Sequence, residues 1–239
     1  QVPWREGQRY DTQEVRDFET KLLGTGLFGS ARLTPEEPLA GTNAIPIRAS
    51  FNERDQKTVR LGLNYSDIGP GGKAYWEHRS IFGGGERFET SFSWSPIEAE
   101  WESRLTRSGF LDANQSLVLD LTVTEEMPDA YDSLTANGSG MVLRDFTPKI
   151  QGGVGTGYTY SRVEQLEQTD RYAYVFFPLQ LLFDYRDDRL NPLRGFHAFG
   201  RTAWYEDTMG HDPFLKSYAE GRQYGLWWER FRLSHALRL

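Results

Sequence analysis

The side chains able to do chemistry are few and scattered. Four histidines, His78, His197, His211 and His235, lack the spacing that brings imidazoles to one metal, so no metal site is expected. Glu98, Glu100 and Glu102 recur at every second position and would share one face of a strand. That arrangement resembles a carboxylate pair for acid–base work but is equally the hydrated side of a sheet. Gly83-Gly84-Gly85 has no helix after it and so cannot cradle a phosphate. Cysteine is absent, which removes thiolate nucleophiles, disulfides and thiolate metal sites. No enzyme activity and no cofactor are expected. One segment differs, Phe183 to Phe196, which crowds charges of both signs around Asn191-Pro192-Leu193-Arg194-Gly195. Its simplest reading is a solvated hairpin turn. A sharper reading makes it an ordered turn with internal ion pairs, built around Asp187, Pro192, Arg194 and Gly195.

The elements that would carry these residues follow two rhythms. Asp11 and Glu14 are placed to cap a helix start. Val15, Phe18 and Leu22 then form one apolar stripe at helical spacing, and Gly24 and Gly26 end it. Residues 27–33 and 45–51 read as strands with a Pro- and Gly-rich loop between them. Helix and strands together are too small to bury a core of their own. From residue 57 the period becomes two. Val59, Leu61, Leu63 and Tyr65 alternate with Arg60, Gly62, Asn64 and Ser66, and similar runs contain Trp76, Trp94, Trp101, Leu119 and Tyr158. Asp67-Ile68-Gly69-Pro70-Gly71-Gly72, the Gly83 triplet and Ser95-Pro96 are read as turns, giving roughly ten or eleven antiparallel strands of about ten residues.

The chain is 239 residues long with 12 Tyr, 15 Phe, 7 Trp and 24 Gly, and its net charge is −7. The negative charge argues against a nucleic-acid partner. Its mean hydropathy of −0.61 suits a soluble protein or a transmembrane barrel, in which only alternate residues meet lipid. No run approaches the ~18 apolar residues of a spanning helix. Both a soluble β-sheet protein and a membrane barrel fit the alternation. The tryptophans near strand ends, with Leu and Val between, favour the barrel.

The order of these pieces resembles a known family. Gly7-Gln8-Arg9-Tyr10-Asp11, the helix, and Leu23 to Ala31 look like a polypeptide-transport-associated (POTRA) domain. Val59 to Pro70 looks like the first barrel strand and turn of the bacterial surface antigen family. Asp184 to Gly195 is similar to a hairpin of the same barrels, and the whole is most similar to the outer-membrane subunits of translocation and assembly modules. The resemblance implies an antiparallel transmembrane β-barrel preceded by part of an α+β POTRA domain. Residues 1–54 would be the C-terminal part of that domain, and 55–239 the first ten or eleven of about sixteen barrel strands.

It implies a bacterial outer-membrane location with the N-terminal part in the periplasm. Function would be the insertion of other β-barrels, such as autotransporters, through a lateral gate at Val59, Arg60, Leu61, Gly62, Leu63, Asn64, Tyr65 and Ser66. Partners would be outer-membrane lipid, nascent barrel substrates and a periplasm-spanning protein anchored in the inner membrane. The alternative in the same family is a translocator or pore barrel that secretes a fused passenger. Final barrel strands and earlier POTRA domains are not found in the sequence, so a fragment is expected.

Overall fold

The computed structural model describes residues 2–24, 26–39, 41, 44–166, 168–210, 212–227 and 231–238, with side chains described as far as residue 225. Thr25 of the POTRA-like motif and His211 lie outside the described residues, as does the side chain of His235.

Helix α1 (Thr12–Gly24) starts where the Asp11 carboxylate accepts the Gln13 amide at 2.7 Å. Glu14 does not reach back to complete the cap; it accepts Gln8 Nε2 at 3.1 Å instead, fixing the approach to the helix. Val15 is buried and Phe18 meets Trp4 edge-on at 5.3 Å. Strands β1 (Phe28–Pro35) and β2 (Ile47–Glu53) pair antiparallel, with Leu33 opposite Ala49. The buried Leu33 donates its amide to Glu19 Oε1 of α1 at 2.5 Å.

The rest of the chain is a meander: β3 (Lys57–Ser66), β4 (Gly69–Arg79), β5 (Arg87–Ser95), β6 (Glu98–Ser108), β7 (Gln115–Glu126), β8 (Asp132–Thr147), β9 (Ile150–Gln165), β10 (Gln168–Asp184), β11 (Gly195–Asp207), β12 (Phe214–Trp227) and β13 (Phe231–Arg238). All eleven are antiparallel and each pairs with its neighbours in sequence, so β3 and β13 are the edges among the described residues. The chain is mostly β, as its period-two patterning predicts.

One expected turn is a strand. Gly69 to Gly72 belongs to β4 and pairs with Ser66 to Leu63, so only Asp67 and Ile68 turn the chain. The glycine at 71 answers a close approach: a Cβ there would sit 2.7 Å from Asn64 Oδ1 and 3.0 Å from the Trp94 carbonyl oxygen.

Register carries one face across the wall. Leu61 lies opposite Ala74, Ala74 opposite Phe92, Phe92 opposite Trp101, and Trp101 opposite Val123. The other face holds Tyr75, Glu89, Glu102, Asp120 and Asn137, which line one cavity together with Arg201 of β11. A β11 residue can share that cavity only if the sheet curls with its charged face inward. The apolar face is therefore convex. Buried apolar side chains are few in this wall, Ala173, Phe176 and Ala203, while Phe92, Trp94, Trp101, Leu179 and Trp204 stand exposed on the outside. A wall with its apolar side outward gains its hydrophobic stabilisation from apolar surroundings rather than from a core of its own.

Candidate functional site

In the eleven-stranded wall, among strands whose side chains are described, β3 has the least cover. Val59, Leu61, Leu63 and Tyr65 are 67%, 80%, 94% and 83% exposed. Their opposite neighbours on β4 are Trp76, Ala74, Gly72 and Pro70. Three of those four are small, so little side-chain surface leans onto β3. Gly62 leaves room as well, since a Cβ there would meet its nearest neighbour, the Lys73 carbonyl oxygen, at an ordinary contact distance of 3.9 Å. All eight residues from Val59 to Ser66 lie on this strand, paired on one side only. Among the described residues the other side has no strand partner, and such an edge is a template for another strand.

On the concave face beside β3 runs a chain of charges. Glu77 is 1% exposed. Its carboxylate meets Arg79 Nη2 at 2.7 Å and Arg87 Nε at 2.9 Å. Arg87 reaches Glu89 at 3.0 Å, and the Tyr75 hydroxyl donates to the same Glu89 oxygen at 2.8 Å. Arg60 of β3 lies over the Tyr75 ring at 5.0 Å. A carboxylate taken out of water needs such partners, because an unpaired buried charge costs several kcal/mol. The period-two pattern places these groups on one face; it does not reveal that Glu77 is their buried centre.

The Phe183–Phe196 segment is an ordered turn. Asp184 accepts Nε and Nη2 of Arg186 at 2.7 and 2.8 Å, and Arg189 approaches at 3.2 Å. Asp187 Oδ1 accepts the amides of Leu193, Asp188 and Arg194 at 2.9, 3.0 and 3.1 Å. Asp188 Oδ1 accepts those of Leu190 and Asn191 at 2.7 and 2.9 Å. The Arg194 and Leu193 amides hold the Asp187 carboxyl below the usual carboxylate range, and the Asn191 and Leu190 amides do the same for Asp188. Tyr185 stacks on Phe196 at 5.0 Å. Gly195 has φ +103°, and a Cβ there would overlap the Tyr185 carbonyl, so glycine is required. Pro192 lies within the turn and Arg194 supplies its amide; the side chain of Arg194 is exposed.

The structure does not bring edge strand and turn together: strands β4 to β9 stand between β3 and β10. The other candidates disperse. His78 and His197 lie on β4 and β11, each with Nδ1 enclosed and without a hydrogen-bond partner among the described residues. Glu100 and Glu102 accept from Thr124 and Ser91 at 3.5 and 3.3 Å, as members of a polar face. Among the described residues no group of acidic, histidine or cysteine side chains has the arrangement to hold a metal ion.

No family model matches the sequence. The fold is that of a solved outer-membrane barrel: the crystal structure of BamA from Haemophilus ducreyi lacking POTRA domains 1–3 is similar with a TM-score of 0.71 at 14% sequence identity. The likeness covers 93% of this chain and 47% of that one, so the chain spans about half the length of the protein it matches.

Proposed function

We propose that this chain is the barrel portion of an outer-membrane assembly factor, and that β3 serves as the strand on which incoming β-barrel proteins pair. One observation carries the reading. The edge strand combines a free backbone edge with four outward apolar side chains that are more exposed than those of the interior strands. An incoming strand can satisfy the backbone groups and cover the side chains in one step. The outward apolar band supports placement in the outer membrane, with the N-terminal α/β unit in the periplasm. The POTRA-like motif supports a periplasm-spanning partner anchored in the inner membrane. Autotransporters are the substrate class that the resemblance favours. The reading assigns the chain no covalent chemistry and no cofactor; insertion would draw on strand pairing and lipid burial alone.

A disulfide trap tests this. A cysteine at Leu63 on β3 should form an adduct with a cysteine in the terminal strand of a stalled barrel substrate. A cysteine at Val154 on β9 should not. Equal yields at the two positions would overturn the reading. In the complete protein, fastening β3 to the last strand by a disulfide should abolish autotransporter display.

A further inference from the structure

The N-terminal unit and the edge strand are joined by the three residues Arg54, Asp55 and Gln56. Each is tied down. Arg54 donates its amide to the Leu27 carbonyl at 2.9 Å, extending the β1–β2 pairing. The Asp55 carbonyl accepts Arg79 Nη1 at 2.7 Å. The Gln56 carbonyl accepts the Arg79 amide at 2.7 Å. The same Nη1 lies 3.1 Å from Thr58 Oγ1 on β3. The other arm of the guanidinium, Nη2, is held by the buried Glu77 at 2.7 Å. A guanidinium is a rigid fork, so anchoring one arm in a buried carboxylate presets the other. One side chain thus touches the linker, the second residue of the edge strand and the buried centre of the concave charge network.

We propose that Arg79 is a positioning residue that couples the N-terminal unit to the edge strand, fastening the start of β3 so that displacement of β1 and β2 is passed to it. The functional weight of this coupling rests on β3 being the pairing strand; the coupling itself is physical and is measured separately. Arg79 is well placed for the task because Glu77 keeps a second cation, Arg87, at 2.9 Å. Loss of Arg79 therefore leaves the buried carboxylate beside one cation, while removing the hydrogen bond to its Oε2.

The test is backbone hydrogen exchange on the full chain in detergent micelles, together with the distance between spin labels at Thr20→Cys on α1 and Ser108→Cys at the end of β6. Arg79→Ala should speed exchange of those Lys57 to Leu61 amides that bond to β4 by about tenfold or more, the effect of one charge-assisted hydrogen bond. It should also broaden the label distance, with β9 and β10 exchange unchanged. Thr58→Val, which removes one acceptor and leaves the Arg79–Glu77 pair, should speed the same amides less, and it decides the matter if Arg79→Ala fails to fold. Arg87→Ala should leave them as they are. Unchanged β3 exchange in both Arg79→Ala and Thr58→Val, or an equal rise in Arg87→Ala, would overturn the coupling. Faster exchange in Arg79→Ala, with no substrate adduct at Leu63 of the wild type, would keep the coupling and discard the pairing role.

Discussion

Strands β3 and β9 both place glycine among larger residues, once in β3 and repeatedly in β9, with opposite surroundings. In β3 the glycine at 62 has room for a side chain, with nothing closer than 3.9 Å to a would-be Cβ. In β9 the glycines at 155 and 157 leave none. A Cβ on Gly155 would overlap the Gly140 carbonyl of β8, and one on Gly157 would overlap the Phe176 ring of β10. The first strand runs 10 residues and has one neighbour; the second runs 16 and has two. One is a loose margin, the other a close-packed wall. The same residue type weakens pairing in one place and permits it in the other.

Substitutions break this contrast in order of size. Gly155→Val should cost about 3 kcal/mol or more, as overpacking between backbones does, seen as a fall in the urea midpoint of the micelle-bound protein. A midpoint equal to wild type would mean that β8 and β9 are not as close as described. Next, a lysine on the convex face should cost about 2 to 4 kcal/mol at mid-membrane depth. Val154→Lys on β9 should show that full loss in folding titrations into lipid vesicles. Leu61→Lys on β3 should show clearly less, because an edge strand can shift to bring the ammonium to water. Equal losses would make β3 as rigid as the interior.

A third test uses acid. The carboxyls of Asp187 and Asp188 titrate below their unfolded values. Their contribution to the 185–194 turn is therefore complete above the usual carboxylate range and disappears as pH falls through the depressed values. After correction for intrinsic rates, exchange of the Leu190, Asn191, Leu193 and Arg194 amides should quicken on acidification. The amides of Leu63 to Tyr65 should not respond, since neither that stretch of β3 nor its β4 partners Gly72 to Pro70 contains a carboxylate. The smallest effect is Gly62→Val. It should stabilise β3 by roughly 0.5–1 kcal/mol, read as slower exchange of its amides, and should lower the yield of substrate adducts at Leu63.

The strands that alternate cleanly were legible. Val59 to Tyr65 and Leu117 to Val123 have one polar and one apolar face, and period two marks them. Strand β10 hides because both its faces are apolar in part: Tyr174 and Phe176 point inward while Val175, Phe177 and Leu179 point outward. It also contains Pro178, which ordinarily argues against an interior strand. The proline fits because pairing with β9 lapses at Phe177 and Pro178 while pairing with β11 continues through Ala203. The charge network was half legible. Parity puts Glu77, Arg79, Arg87 and Glu89 on one face, but which carboxylate is buried depends on how the sheet curls. The contacts of Arg79 with Asp55 and Thr58 join parts of the chain with no shared periodicity, so no pattern announces them.

The strand order has a consequence for how the wall is made. Every pairing from β3 to β13 joins strands adjacent in the chain, so each ladder closes over a turn rather than over a long loop. Contact order is low for so large a sheet, and low contact order favours rapid folding. Each hairpin can zip onto the one before it without waiting for a distant partner. A protein proposed to add strands to other chains is thus itself built by the successive addition of neighbouring strands.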